Sequence, residues 1–254
     1  MLDFTWMDAQ PASSSRQSFR DAGGQGTIVF DPVRLRQASA AVFQPDCYGP
    51  RAQPVQGRGG RGAAWFVQGA FGAGVLRHYR RGGWMARASY DAYLWRGERR
   101  VRSLREFELM QELQRLGLPV PTPVAAYYRR TGLRYRAAII VMRIEHAVSF
   151  ASLVSASPGS APWAGVGAAI GRCHRNRARH ADLNANNILL DADGEAWLID
   201  WDKGEIESRT GNWCQRVLDR LERSLRKECS GVAPVDLQSG MQRLRAAHHQ
   251  AMQA

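Results

Sequence analysis

The 254-residue chain has only four cysteines, Cys47, Cys173, Cys214 and Cys229, and none of them forms a C-x-x-C pair or a zinc-ligand spacing. That excludes a disulfide-stapled scaffold and a zinc module, and leads to the expectation of reduced thiols in a cytosolic compartment. No run approaches the ~18 consecutive apolar residues that a membrane-spanning helix needs. A basic-then-apolar leader pattern is also missing, because Asp3 and Asp8 stand among the first residues. Acidic residues are in deficit: 23 Asp and Glu stand against 35 Lys and Arg, a net charge of +12. A surface of that sign attracts polyanions: nucleic acid, an anionic membrane surface or a phosphorylated substrate. An arginine-rich composition without functional meaning is the competing reading. The basic residues are not interleaved with stacking aromatics in an RNA-binding pattern, so no nucleic acid is expected as a partner. No obligate protein partner is implied. With 44% hydrophobic and 23% charged residues, the chain suits one two-lobed domain or two small ones with a sizeable core.

What the chain does have is concentrated between His180 and Asp202. The string H-A-D-L-N-A-N-N-I-L-L is followed by D-A-D-G-E-A-W and L-I-D-W-D. Asp182 precedes Asn187. The apolar run Ile188 to Leu190, a turn at Asp191 to Gly194 and a second apolar run, Trp197 to Ile199, then deliver Asp200. This reads as loop, strand, tight turn and strand. Phosphoryl transfer needs that set. One Asp accepts the proton of an attacking hydroxyl, and an Asn with a second Asp holds Mg²⁺ beside the phosphates.

Upstream, residues 1–24 are polar and rich in Gly and Ser, and are expected to form a flexible lead-in. Thr27 to Phe30 predicts a short strand. Gly57, Gly59 and Gly62 satisfy G-x-G-x-x-G ahead of a strand candidate, Ala64 to Gln68. That context suits a flap whose backbone N–H groups approach nucleotide phosphates. A flexible linker fits the same residues equally well. In the alternating strand Gly74 to Tyr79, Val75, Arg77 and Tyr79 share one face. Arg77 stands where a phosphate-pairing cation would, with a bidentate fork in place of the point charge of Lys. A solvated edge-strand arginine is the alternative. Residues 102–116 predict a helix ended by Gly117 and Pro119. Glu106, Leu109, Met110, Leu113 and Leu116 fall on one stripe; Leu104, Glu108, Gln111, Glu112 and Arg115 form a mostly polar face. An inward Glu106 needs a partner, and Arg77 is the natural one. Pro119 to Val124 reads as an extended connector and Tyr135 to Met142 as a central strand. Trp163 to Arg175 and Trp213 to Glu228 read as helices. His174 reads as a core or cap histidine. Arg172, Arg175, Arg177 and Arg179 form a basic cluster before the loop. The tail, Leu237 to Met252, is basic and weakly amphipathic, suited to a membrane surface or to covering the lower lobe.

Four strings together resemble those of the 3-deoxy-D-manno-octulosonic acid (Kdo) kinases, relatives of the lipopolysaccharide core heptose kinases. They are L-R-H-Y-R-R-G-G from Leu76, G-L-P-V-P-T-P-V-A-A from Gly117, H-A-D-L-N-A-N-N-I-L-L and L-I-D-W-D-K-G, and the likeness covers residues 27–228. The resemblance implies an α+β, bilobal protein-kinase-like fold. The flexible lead-in would occupy 1–24. An N-lobe at 25–144 would carry an antiparallel sheet with one key helix, and a C-lobe at 145–254 would be mostly helical. It implies an ATP- and Mg²⁺-dependent phosphotransferase acting on the 4-hydroxyl of Kdo on a lipid A precursor. Such an enzyme would be a peripheral protein on the cytoplasmic side of the inner membrane. By the same resemblance Asp182 is catalytic, Asn187 and Asp200 hold the metal, and His180 organises the loop backbone. Gly57, Gly59, Gly62, Arg77 and Glu106 would serve the nucleotide.

The departures from regulated protein kinases are informative. Ala181 stands where those enzymes carry Arg before the catalytic Asp, Asn184 where they carry Lys, and no A-P-E follows Asp200. These point away from a protein substrate. Trp201-Asp202 replaces Phe-Gly and adds a carboxylate beside the metal position. Asn176-Arg177-Ala178-Arg179 stands where a glycine turn followed by an apolar residue is expected. A core heptose kinase is the near alternative. A nucleic-acid-binding module and a pseudokinase scaffold are the alternatives from other classes; the presence of Asp182, Asn187 and Asp200 weighs against the second.

Overall fold

The computed structural model describes residues 14–55, 64–79 and 92–254. The chain divides into two compact units. One takes the described residues up to Phe107 together with Pro123–Arg143; the other takes Glu108–Thr122 and Ile144–Ala254.

The first unit is built from strands β1 (Ser15–Asp21), β2 (Gly24–Phe30), β3 (Ala52–Pro54), β4 (Ala64–Gly69), β5 (Gly72–His78) and β6 (Tyr93–Leu94), the first turns of helix α1 (Arg102–Arg115), and strands β7 (Pro123–Thr131) and β8 (Arg134–Met142). They form one antiparallel sheet in the order β1-β2-β7-β8-β5-β4-β3, with β6 paired to β8. Register sets the core. Leu76 lies opposite Ile140, Ile140 opposite Ala125, and Ala125 opposite Phe30, so one cross-strand row is apolar. This row packs with Ile28, Val124 and Tyr127, and Phe43 stacks on Tyr127 at 4.3 Å between ring centres.

Three sequence expectations change here. Residues 15–21, placed in the flexible lead-in, are an edge strand paired along its length with β2. Phe19 packs on the core, Arg16 reaches Glu98 at 2.8 Å and Arg129 reaches Asp21 at 2.6 Å. The extended connector runs on as β7, whose first six residues are all buried. A strand covered on both faces shows no apolar–polar alternation, so its period is silent in the sequence. In α1, Leu104 belongs to the buried face with Glu106, Phe107, Met110 and Leu113, whereas Leu116 is 41% exposed. The buried arc is wider and rotated relative to a single stripe.

The second unit holds the rest of α1, then β9 (Val148–Ser149), α2 (Phe150–Ala156), α3 (Trp163–Arg175), β10 (Ala178–Arg179), β11 (Ile188–Leu190), β12 (Ala196–Leu198), β13 (Glu205–Ile206), α4 (Asn212–Glu228) and α5 (Pro234–Gln253). The tail is therefore a helix, and it lies along α3. Close approach depends on glycine. A Cβ at Gly167 would sit 2.2 Å from the Leu244 carbonyl oxygen, and one at Gly240 would sit 2.2 Å from the Trp163 ring. Leu237, Met241 and Leu244 are buried in this contact. Helix α4 carries the expected apolar stripe, Val217, Leu218, Leu221 and Leu225, all buried. Among the described residues no helix is long and apolar enough to cross a membrane. All four cysteines are free thiols, and burial pushes the Cys173 thiol up to about 12.

Candidate active site

The site in the second unit starts from a hairpin. β11 and β12 are antiparallel with Ile188 opposite Leu198, and one step further out the Ile199 N–H donates to the Asn187 carbonyl at 3.0 Å. Asp200 follows directly. Asn187 and Asp200 thus stand at the open end of one hairpin. The closed end is set by Asp191. Its carboxylate accepts from the Asp193 and Glu195 N–H groups at 3.1 and 2.9 Å and from the Trp197 indole at 2.8 Å. Gly194 turns the chain with φ +80°. Burial alone would raise the Asp191 pKa, but the indole and the backbone donors together hold it below its ordinary value.

His180 ties the loop to this hairpin. It is 2% exposed. The Asp182 N–H donates to its Nδ1 at 3.2 Å, so Nε2 carries the proton and donates to the Ile199 carbonyl at 2.9 Å. Burial lowers the His180 pKa, against the pull of the Ile199 carbonyl and of Asp200 and Asp182, and the ring is kept neutral. One imidazole therefore fixes the backbone of Asp182 relative to the residue before Asp200. Asp200 and Lys203 have positive φ, +62° and +64°. Non-glycine residues hold that conformation at a cost of order 1–3 kcal/mol, a strain that collects at functional positions.

Within the loop, Asn184 is the brace. Its Nδ2 donates to the Asp182 carbonyl at 3.0 Å, and its Oδ1 accepts from the N–H groups of Asn186 and Asn187 at 3.0 and 3.2 Å. The Asn187 Nδ2 also donates to the Asp182 carbonyl, at 3.1 Å. This orientation commits the nitrogen of Asn187 to the loop and leaves its amide oxygen as the donor atom. That oxygen and the Asp200 carboxylate are hard oxygen donors, and Mg²⁺ takes few protein ligands of this kind together with substrate phosphates. The donor set fits that ion. The Asp182 side chain is more than half exposed and forms an ion pair with Arg220 on α4. Ser224, one turn further along α4, accepts from the Ala185 N–H at 3.1 Å and holds the helix to the loop. Arg220 and Ser224 were not singled out by sequence reasoning. Their only signal is that they lie one turn apart on the polar side of an amphipathic helix.

In the first unit, Arg77 and Glu106 are brought together. Nη2 of Arg77 lies 2.5 and 2.6 Å from the two carboxylate oxygens of Glu106. Glu106 is buried, its side chain 2% exposed, and the Tyr79 hydroxyl also donates to it. The Arg77 guanidinium sits 4.8 Å from the Tyr79 ring centre. Gly57, Gly59 and Gly62 lie outside the described residues.

Two of the four arginines of the basic cluster before the loop are engaged by the structure. Arg179 pairs with Glu205 and Glu207, and Arg177 donates to the Ser208 carbonyl at 3.2 Å. The missing glycine turn is also explained. Arg177 itself takes the left-handed conformation, φ +59°, and the fully buried Ala178 supplies the apolar residue.

His174 is a core residue, as its place in the helix indicates. Its Nδ1 lies 2.9 Å from Nε2 of His248 on α5, and its ring meets Trp213 edge-on. Burial, then the neighbouring His248 and His180, lowers its pKa to about 3; burial lowers that of His248 as well. A histidine with a depressed native pKa binds fewer protons folded than unfolded. Its contribution is complete above the unfolded value near 6.5 and is lost as pH falls from there toward about 3. Each such group should steepen the loss by up to ~1.4 kcal/mol per pH unit. Melting temperatures from pH 7 to pH 4 should fall less steeply in His174→Leu/His248→Leu than in the unmodified protein; parallel curves would refute this origin of acid sensitivity.

Comparison with known proteins gives a consistent result. The chain matches the model of the Lipopolysaccharide kinase (Kdo/WaaP) family across residues 47–246. It is 49% identical over 245 residues to a 3-deoxy-D-manno-octulosonic acid kinase of Stenotrophomonas maltophilia strain K279a, covering 96% of this chain and 98% of that protein. It is 48% identical over 237 residues to the protein of the same name from Xanthomonas campestris pv. campestris strain B100, and 47% identical to that of Xanthomonas oryzae pv. oryzae strain PXO99A. Each covers 93% of this chain and 95% of the relative.

Proposed function

Because the chain belongs to the lipopolysaccharide kinase (Kdo/WaaP) family, we propose that it transfers the γ-phosphoryl group of ATP to the 4-hydroxyl of Kdo on a lipid A precursor, a step in lipopolysaccharide core assembly. It is an ATP-dependent phosphotransferase with an alcohol acceptor, on a protein-kinase-like α+β fold. The observation that carries the reading is the His180 clamp, which holds the backbone of Asp182 against the strand end that leads into Asp200.

In this reading Asp182 takes the proton of the acceptor hydroxyl at a carboxylate oxygen. The hydroxyl oxygen bonds to the γ-phosphorus as the bond to the ADP oxygen breaks. Asn187, through its amide oxygen, and Asp200 would hold Mg²⁺, which when bound neutralises charge on the phosphates. Asn184 and His180 keep the loop in one geometry, so that positioning carries much of the rate. Arg77, held by Glu106, steadies the α- and β-phosphates. The acceptor is a membrane glycolipid, so the protein works as a peripheral protein on the cytoplasmic side of the inner membrane. The net charge of +12 supports that placement, because anionic lipid attracts each basic residue near the surface by about 1 kcal/mol.

The test is incubation with Mg·ATP and two acceptors, a Kdo–lipid A precursor and a heptosylated core, followed by mass spectrometry. A phosphate gained on Kdo of the first is the expected result. Phosphate found only on heptose would replace this reading with that of a core heptose kinase.

A further inference from the structure

A pocket of about 430 Å³ adjoins Asp182, lined by Asn184, Asn186, Arg220, Arg223, Ser224 and Lys227 among others. That volume suits a small ligand site. Arg220, Arg223 and Lys227 are spaced i, i+3, i+7 along α4 and therefore share one face of the helix. All three are exposed. Ser224, on the same face, pins it to the catalytic loop.

Two of the three acidic residues of α4 are engaged elsewhere: Asp219 and Glu222 are taken by Arg245 of α5, at 2.9 Å each, and Glu222 also by Arg226 at 2.6 Å. On the pocket face, Arg220 pairs with Asp182 itself, and Arg223 and Lys227 form no ion pair among the described residues. Two carboxylates, Asp182 and Glu228, line the pocket against three cations. A site with surplus positive charge beside the proposed base selects an acceptor that carries a negative group close to its reacting hydroxyl.

We propose that Arg220, Arg223 and Lys227 form the acceptor's anion subsite, and that the acceptor's negative group draws Arg220 away from Asp182 as it binds. The proposal rests on the sugar-kinase reading above. Kdo fits because its carboxylate is borne by ring carbon 2 and the reacting hydroxyl by ring carbon 4. The carboxylate therefore arrives close to the hydroxyl that Asp182 would take, and Arg220 is the cation in contact with Asp182. The lipid phosphates of the same acceptor offer the same chemistry, and the experiment separates the two.

Transfer to the Kdo–lipid precursor is measured for the unmodified protein, Arg223→Gln/Lys227→Gln, and Arg226→Gln as a control, a cation of the same helix that pairs with Glu222 and does not line the pocket. Acceptors are the parent compound, its Kdo carboxamide, and a precursor without lipid phosphates. The double variant should raise KM for the parent acceptor tenfold or more with KM for ATP unchanged, and the control should match the unmodified protein. If the carboxamide is a poor acceptor and indifferent to the double substitution, the subsite holds the Kdo carboxylate; if the dephosphorylated lipid behaves that way, it holds a lipid phosphate. An unchanged acceptor KM in the double variant, or a shift in KM for ATP in its place, overturns the proposal while leaving the kinase reading intact. An unmodified protein inactive on every Kdo acceptor overturns the Kdo reading and this assignment with it.

Discussion

Asp182→Asn is expected to lower kcat by ~10²–10⁴-fold, the usual contribution of a positioned general base, with KM for ATP little changed. The amide keeps the shape of the carboxylate but cannot take the proton of the acceptor hydroxyl. The substitution is clean because the loop is not held by this side chain. The Asp182 N–H is bound by His180, and its carbonyl accepts from both Asn184 and Asn187. What the side chain does contact is Arg220, and both partners are about half exposed. An exposed pair of that kind contributes ~0–1 kcal/mol, so the melting temperature should stay close to that of the unmodified protein. Single-turnover transfer and ATP binding by the purified variant check both halves. Transfer at the unmodified rate would remove Asp182 from the base role, and lost ATP binding would mean that the loop had moved.

What could be read in the sequence was whatever local chemistry encodes. The loop-and-hairpin arrangement that carries Asp182, Asn187 and Asp200 was legible because it lies within a single local segment. Arg77 and Glu106 were legible from phase alone: one faces inward on a strand, the other on a helix, and a buried carboxylate needs a partner. Helices α3 and α4 announced themselves by apolar stripes at helical spacing. Strand β7 did not, because burial on both faces erases alternation. Strand β1 did not either, because an edge strand with exposed polar residues looks like a lead-in until its partner is known. The Arg220 contact joins residues 38 apart through tertiary packing of α4. No periodicity within α4 reports which loop its polar face will meet. The exchange of glycine for Arg177 hid a turn that the backbone makes regardless.

Arg77→Met should destabilise the protein by up to ~3–5 kcal/mol, because it takes the Arg77 guanidinium away from the buried Glu106 carboxylate. Glu106 has only 2% of its side chain exposed, and the Tyr79 hydroxyl remains as a donor, which places the effect toward the lower end of that range. Glu106→Gln in the same chain should recover much of this loss, since a buried neutral amide needs the guanidinium less than a carboxylate does. The double variant then separates two roles that the single variant confounds. If the pair only supports the sheet and α1, then Arg77→Met/Glu106→Gln, once restored in stability, should use ATP normally. If Arg77 steadies nucleotide phosphates, KM for ATP should stay raised in the double variant although its melting temperature has recovered, and Arg77→Lys should give an intermediate KM because it keeps the charge but loses the fork. The expected result is the second. Chemical denaturation and ATP-dependent transfer, measured on the unmodified protein, Arg77→Met, Arg77→Lys and the double variant, decide it: a normal KM in a stable double variant would leave Arg77 as a structural residue and would place phosphate binding on other groups.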